Sequence, residues 1–298
     1  MMITKPQIAD YNAQRRITDA LRTRYPFLQT GVIGRSRMGK AIFRLSVGTG
    51  ESRVLFCGGF HGSEWLTVLL LYRFTEAVCE SVETHTPLAK LDVSSFLQRR
   101  QIILVPCVNP DGTDIFLHGP GAAGIREDFV RSVWDAQIPW NANAAGVDIN
   151  HNFDAGWKKL RAAERRQGIV SPAARRYGGA KAESEPETQA LCTLCRRYVP
   201  DHVLAFHSQG EEIFWKYGRD DPPRARTLMQ IFAASSGYKP VRNAGLYAHG
   251  GFKDWFIRAF NRPGFTIEIG KGENPLPIEQ FEPIYARLLE MMTLAAVL

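Results

Sequence analysis

The sequence has few cysteines, and their number argues against a disulfide framework. Five cysteines are spread over 298 residues, whereas secreted domains held by disulfides are short and rich in cysteine. Cys192-Thr-Leu-Cys195 is the one close pair. It lies in a segment that reads as helix, where a spacing of three puts both thiols on one buried stripe. We therefore expect core packing rather than a redox or metal pair.

Long apolar runs are also missing. The longest runs are about as long as a strand, which argues against a helix that spans a membrane. Residues 1 to 10 are polar and lack the charged start, apolar stretch and small-residue cleavage site of a secretory signal. We therefore expect a cytoplasmic protein without a membrane partner.

Positive charge is in excess, but it is not concentrated. The formal net charge is +7, and the basic residues are scattered apart from short clusters at 161–166 and 175–176. A nucleic-acid binder would be expected to carry a basic stripe. The composition therefore favours a small acidic substrate, or simply a soluble surface, over nucleic acid.

What the chain does have is an alternation of strands and helices without internal repeats. Predicted strands cover residues 41–47, 53–57, 101–106, 201–206 and 264–269, and predicted helices cover 7–24, 64 to the low eighties, 186–199, 223–236 and 278–298. This order predicts an α/β fold, with a mostly parallel mixed sheet sandwiched by helices. Residues 110 to 185 are rich in Gly, Ala, Pro and Trp and are predicted to form long loops. No linker divides the chain, so one domain over residues 1–298 is expected.

Four polar side chains stand at the ends of predicted strands. His61 and Glu64 follow the strand that ends near Cys57, and their spacing of three puts them on one face of a helical turn. Such a pair alone is weak evidence for a metal site. His207 and Glu268 end two further strands, and ligands of open α/β sheets bind at the carboxyl ends of strands. Zinc in catalytic sites takes three ligands of the His and Glu kind, so the pattern predicts a shared metal site.

Several ordered motifs then carry a resemblance. They are Phe60-His-Gly-Ser-Glu64, Val108-Asn-Pro-Asp-Gly112, Gly146-Val-Asp-Ile-Asn-His-Asn-Phe153, Ala205-Phe-His-Ser-Gln209, Leu246-Tyr-Ala-His-Gly-Gly-Phe-Lys-Asp-Trp255 and Phe265-Thr-Ile-Glu268. The chain resembles the zinc carboxypeptidase family, whose founding members are the pancreatic carboxypeptidases. The resemblance implies that one zinc ion is bound by His61, Glu64 and His207. It also implies that Glu268 is the general base and acid, acting on a water molecule that zinc activates.

The resemblance extends to the residues that would bind the substrate, although some of them differ from those of the digestive enzymes. Tyr247 would cap the substrate and Asn150 would bind a carboxylate near the leaving residue, although Tyr247 could be a core aromatic and Asn150 a turn residue. Where the digestive enzymes place an arginine, this sequence has His151, a weaker and pH-dependent anion partner. This argues against activity on ordinary C termini. For the oxyanion-stabilising arginine we favour Arg131 over Arg126, and either could be a solvated loop charge.

By the same resemblance, Lys253 occupies the floor of the family's specificity pocket, where a cation favours an acidic leaving residue. The alternative is that Lys253 is a surface lysine. Residues 176–188 and 267–277 resemble the bacterial branch of γ-D-glutamyl-meso-diaminopimelate peptidases, which cut cell-wall peptides. Together these features predict a zinc peptidase that acts on small acidic muropeptides. The wall-binding modules frequent in that branch are absent from this sequence, so soluble muropeptides inside the cell are the expected substrate. The alternatives are a zinc carboxypeptidase or amidoacylase for other acylated amino acids and an inactive zinc-dependent peptide-binding protein, which would not need Glu268.

Overall fold

The computed structural model describes residues 6–241 and 249–298. Their strands form one mixed sheet of eight in the order β1-β2-β4-β3-β5-β8-β6-β7. The strands are β1 Gln29–Arg35, β2 Ala41–Val47, β3 Ser52–Cys57, β4 Arg100–Val105, β5 His202–Ser208, β6 Glu212–Phe214, β7 Lys239–Val241 and β8 Gly264–Ile269. The four strands at the centre, β4, β3, β5 and β8, run parallel to one another. Antiparallel pairs flank them, namely β1 with β2, β2 with β4 and β6 with β8.

Helices cover both faces of the sheet. They are α1 Tyr11–Arg24, α2 Trp65–Thr84, α3 Pro110–His118, α4 Glu127–Val133, α5 Trp157–Arg166, α6 Pro186–Tyr198, α7 Ala225–Ser236, α8 Phe252–Phe260 and α9 Phe281–Val297. Helix α1 begins later than predicted, because Asp10 caps it by accepting a hydrogen bond from the backbone N–H of Ala13 at 2.7 Å. In the described residues, no helix is long and apolar enough to cross a membrane.

Two hydrophobic cores form because the central strands are buried on both faces. Along β3, Val54 and Phe56 face one core, and Leu55 and Cys57 face the other, as the period of two in a strand requires. Helices α1, α2, α7 and α9 complete the first core, and α6 and α8 complete the second. The predicted α/β sandwich is therefore confirmed. Cys192 and Cys195 lie buried in the second core, as expected.

The prediction of long loops over residues 110 to 185 is wrong in part. Three helices, α3, α4 and α5, lie within it. They are short, and α3 and α4 contribute residues to a small third core around Trp140. A short helix with a narrow apolar face gives a weak periodic signal, which explains why the sequence pattern did not reveal them. The expectation of a single domain over residues 1–298 stays a prediction.

Candidate active site

The turn between β3 and α2 carries the first two predicted ligands. His61 precedes a single 3-10 turn, Gly62–Glu64, and α2 begins directly afterwards at Trp65. Gly62 packs so closely on the neighbouring backbone that a Cβ atom there would lie 2.2 Å from the carbonyl oxygen of Gly112. Only glycine fits this approach, so the turn is held against the N-terminal part of α3 and its two polar side chains are fixed.

His207 completes a cluster with this pair from the end of β5. Glu64 lies between the two histidines: its Oε1 is 2.8 Å from Nδ1 of His61, and its Oε2 is 3.0 Å from Nδ1 of His207. Candidate ligand atoms of the three residues all lie within 4.8 Å of one another. Glu64 and His207 are buried and His61 is half-buried. The structure therefore brings the three predicted ligands together.

Asp148 supports this cluster from outside. Its Oδ1 lies 3.1 Å from Nε2 of His61, and its Oδ2 accepts a hydrogen bond from the backbone N–H of Arg176 at 2.9 Å. A metal-binding histidine usually donates a hydrogen bond from its other ring nitrogen to a carboxylate, and this bond fixes the orientation of the ring. Asp148 was not predicted as a site residue, although it stands two residues before Asn150 in one of the motifs quoted above.

The pKa values of the cluster follow from burial and mutual charge. Burial alone would raise the pKa of Glu64, but the charges of His61 and His207 lower it to about 2. Burial alone would lower the pKa of His61, but Glu64 and Asp148 raise it well above its ordinary value. Burial lowers the pKa of His207. Glu64 is thus held as a carboxylate, which is the form that binds a metal ion.

This donor set fits zinc. Two imidazoles and one carboxylate are a ligand set of catalytic zinc sites, which leave a further position open for water or substrate. The carboxylate of Asp148 behind His61 adds the outer contact that such sites carry. His61, Glu64 and His207 would therefore hold the ion.

Glu268 is the last residue but one of β8 and lies directly opposite His207 on β5. Burial raises the pKa of Glu268 well above its ordinary value, and the negative charge of Glu64 raises it further. A carboxylate that must take up and return a proton near neutral pH needs a shift in this direction. Glu268 stays our candidate for the general base and acid.

One cavity of about 330 Å³ opens over these strand ends. It is lined by His61, Asn150, His151, His207, Phe214, His249, Gly251, Lys253, Asp254, Thr266 and Glu268. Asn150, His151 and Lys253, which were predicted to bind substrate, therefore share the wall with the metal cluster and the candidate base.

The side chains of Asn150 and Lys253 are each held by neighbours. Oδ1 of Asn150 accepts a hydrogen bond from the backbone N–H of Phe252 at 3.0 Å. The ammonium of Lys253 is buried; it donates to the carbonyl oxygen of Lys216 at 2.7 Å and pairs with Asp254. Lys253 is thus not a surface lysine. It forms a buried ion pair whose two members both line the cavity.

Other predicted residues lie elsewhere. The side chain of Arg131 is 61% exposed on α4, and its Nε donates to Glu127 at 3.0 Å. Arg126 donates to the carbonyl oxygen of Ala144 at 2.9 Å. Neither arginine lines the cavity, so the position of Arg131 lends its predicted oxyanion role no support. Tyr247 lies outside the described residues, and its predicted role stays a prediction.

Comparison with known proteins then decides the family. The family model described as zinc carboxypeptidase matches residues 15–291. The chain belongs to the zinc carboxypeptidase family. It is accordingly a metallopeptidase, a hydrolase that uses zinc.

Two curated relatives and one solved structure show what the chain is similar to. The chain is 35% identical over 291 residues to γ-D-glutamyl-L-diamino acid endopeptidase 1 of Lysinibacillus sphaericus, covering 97% of this chain and 72% of the relative. It is 31% identical over 232 residues to murein peptide amidase A of Escherichia coli K12, covering 74% of each chain. Its fold is similar to the structure of bovine thrombin-activatable fibrinolysis inhibitor, with a TM-score of 0.76, 20% identity and coverage of 98% of this chain and 97% of the other.

Proposed function

We propose that this zinc peptidase hydrolyses the amide bond between the γ-carboxyl of D-glutamate and a diamino acid, as found in muropeptides. The observation that carries the proposal is the set of side chains that line one cavity. Beside the metal cluster and Glu268, it holds His151 and the ion pair of Lys253 with Asp254. Two relatives whose names refer to γ-D-glutamyl-diamino acid and murein peptide substrates support it.

The charges in the cavity match such a leaving residue. In the peptide, meso-diaminopimelate carries a carboxylate beside the scissile amide and a second carboxylate and an ammonium at its far end. The buried pair of Lys253 and Asp254 presents one charge of each sign. A substrate with both charges matches this pair, whereas a leaving residue with an apolar side chain would leave it without a charged ligand.

The reaction follows from the positions of the side chains. Zinc, when bound, supplies a Lewis acid that polarises a carbonyl group and lowers the pKa of water. Glu268, at the end of β8 next to His207, accepts a proton from the attacking water and passes it to the leaving amine. The raised pKa of Glu268, caused by burial and by Glu64, makes its carboxylate a stronger base and so favours the first transfer.

A synthetic L-Ala-γ-D-Glu-meso-diaminopimelate peptide tests the proposal, with mass spectrometry of the products and the zinc content measured in each sample. The wild type is expected to release diaminopimelate. Glu268→Gln should lower kcat by about 10²- to 10⁴-fold, the usual contribution of a general base, while keeping its zinc. Glu290→Gln, an exposed carboxylate on α9, is the matched control and should keep full activity.

A substrate panel separates the proposal from the alternative. The same peptide with α-linked glutamate, and simple N-acyl amino acids, are run in parallel. No cleavage of the γ-linked peptide at full zinc occupancy would overturn the proposed substrate. Efficient cleavage of N-acyl amino acids instead would favour a carboxypeptidase or amidoacylase for other acylated residues.

A further inference from the structure

A second cavity, of about 230 Å³, lies between β1 and α6 and shares no lining residue with the catalytic cavity. We call it the α6 groove. In the sheet, β2 and β4 separate β1 from β3, the strand that leads into the metal cluster. A ligand in the α6 groove would therefore leave the catalytic cavity free. The groove is lined by residues 31–33 of β1, Arg44 of β2, and Thr193, Leu194, Arg197 and Tyr198 of α6.

Three arginines meet at the ring of Tyr198, on the wall of this groove. The Cζ atoms of Arg44, Arg53 and Arg197 lie 5.5, 5.7 and 5.5 Å from the ring centroid. Arg44 also donates a hydrogen bond to the hydroxyl oxygen of Tyr198, and Nη1 of Arg53 donates to its carbonyl oxygen at 3.2 Å. These contacts gather three positive charges around one neutral residue, which is a weaker partner for a cation than an anion is.

The three charges have no anionic partner among the described residues. None of the three arginines forms an ion pair with a carboxylate there, whereas Arg196, which precedes Arg197 on α6, pairs with Glu183 at 3.3 Å. Arg44 and Arg53 are half-buried, and in the described part of the chain Nε of Arg53 is buried without a hydrogen-bond partner. A half-buried cation without a counter-ion loses hydration that nothing replaces, so the cluster favours the binding of an anion.

The shape of the groove leaves these charges open to a ligand. Gly31 faces Arg44 across the pair of β1 with β2, and a Cβ atom at residue 31 would lie 3.3 Å from Nη2 of Arg44. The glycine therefore leaves room for the guanidinium at the groove wall. Ile33 and Leu194 line the same groove, so it has an apolar part beside the cationic one.

The charges of the α6 groove favour phosphate over carboxylate. The forked guanidinium group matches the oxygens of a phosphate in pairs. A phosphate monoester carries about 1.5–2 negative charges at pH 7, whereas a carboxylate carries one. The apolar side chains beside the cations are suited to an organic group, which favours an ester over inorganic phosphate.

We propose that the α6 groove binds a phosphate monoester of a small organic molecule. Arg44 and Arg197 bind the phosphate, and Arg53 adds a third positive charge next to the ring of Tyr198. The hydroxyl of Tyr198, which accepts a hydrogen bond from Arg44, keeps its own proton to donate to the ligand. Because the groove is separate from the catalytic cavity, this proposal does not depend on the identity of the peptide substrate.

Phenyl phosphate, titrated into the zinc-loaded protein of residues 1–298, tests the proposal. Backbone amide NMR signals report where it binds: those of Gly31 and Thr193 should shift together and saturate with one dissociation constant. Benzoate keeps the ring and replaces the phosphate by a carboxylate, and inorganic phosphate lacks the ring. Each of these two anions should bind at least about tenfold more weakly than phenyl phosphate.

Two variants assign the binding to the arginines. Arg44→Gln and Arg197→Gln each remove a charge-assisted hydrogen bond, which should raise the dissociation constant for phenyl phosphate about 10- to 150-fold. Arg197 is exposed, so its variant keeps the proposal testable if Arg44→Gln folds poorly. The matched control is Arg16→Gln, an exposed residue of α1 on the other face of the sheet from α6, and it should bind phenyl phosphate as the wild type does.

Other results would overturn the proposal. Equal affinity in Arg197→Gln and the wild type, or shifts confined to residues of the catalytic cavity such as Gly251, would place the anion elsewhere. Benzoate or inorganic phosphate that binds as tightly as phenyl phosphate would contradict the assignment to a phosphate ester. The absence of a saturable shift at Gly31 and Thr193 would exclude a site in this groove.

Discussion

Asp148 gives the sharpest test of how the metal cluster is supported. We consider Asp148→Asn, which keeps the shape of the side chain and removes its charge. The amide oxygen can still accept a hydrogen bond from Nε2 of His61, now 3.1 Å from the carboxylate. What is lost is the negative charge that makes the ring a stronger ligand and fixes its orientation.

The expected magnitude follows from these contacts. Removing the outer partner of a metal-binding histidine typically costs 10- to 100-fold in metal affinity, which corresponds to about 1.4–2.7 kcal/mol. Asp148 also accepts hydrogen bonds from the backbone N–H groups of Asn150 at 3.2 Å and Arg176 at 2.9 Å. The asparagine oxygen can keep only part of this set, so we expect the larger end of the range.

The assay is a zinc titration against a competing chelator, with stability measured on the same samples. Asp148→Asn should raise the dissociation constant for zinc about 30- to 100-fold and keep a cooperative unfolding transition. Asp128→Asn, on an exposed residue in the first turn of α4, is the matched control and should bind zinc as the wild type does. An unchanged dissociation constant in Asp148→Asn would refute the supporting role assigned to this carboxylate.

Two further predictions concern stability. Burial lowers the pKa of His202 to about 4 from 6.5, and its Nε2 lies 2.9 Å from the carbonyl oxygen of Ala295. Because the folded protein favours the neutral ring, the free energy of unfolding should fall by up to about 3 kcal/mol as the pH drops from 6.5 toward 4. Urea denaturation at a series of pH values should show this loss in the wild type but not in His202→Gln. The same dependence of the unfolding free energy on pH in both proteins would contradict the prediction. Gly62→Ala should lower the free energy of unfolding by about 3 kcal/mol, because its Cβ would meet the backbone of Gly112 at 2.2 Å, whereas Gly121→Ala, whose nearest neighbour lies at 3.8 Å, should stay within about 0.5 kcal/mol of the wild type.

The main sheet and the metal ligands could be predicted from the sequence because they follow a simple rule. The central strands are continuous apolar runs, and polar side chains stand where the runs end. His61, His207 and Glu268 therefore fall on three strand ends, which a parallel sheet brings to one edge. The edge strands β1 and β7, and β6 next to β7, were not predicted, since their burial is partial or their length is three residues.

The supporting residue Asp148 could not be found in this way. It reaches the site from the segment between β4 and β5, where weak periodicity predicted loops. It acts through a contact far apart in sequence, since it meets His61 across 87 residues. Local pattern does not encode such a contact, because the contact depends on how the segment folds back over the sheet. Conversely, Arg131 was chosen because the family places an arginine a short way upstream of the asparagine that matches Asn150, and the structure shows Arg131 paired with Glu127 on an exposed helix face.

The central claim is that His61, Glu64 and His207 form one zinc site in a catalytic cavity. Anomalous diffraction at the zinc edge, from crystals of the zinc-loaded protein, tests it most directly. We predict one strong peak within about 2.0–2.2 Å of a nitrogen of each histidine and an oxygen of Glu64, and loss of that peak in His207→Ala. A zinc peak bound by other residues, or none at this cluster at saturating zinc, would contradict the account.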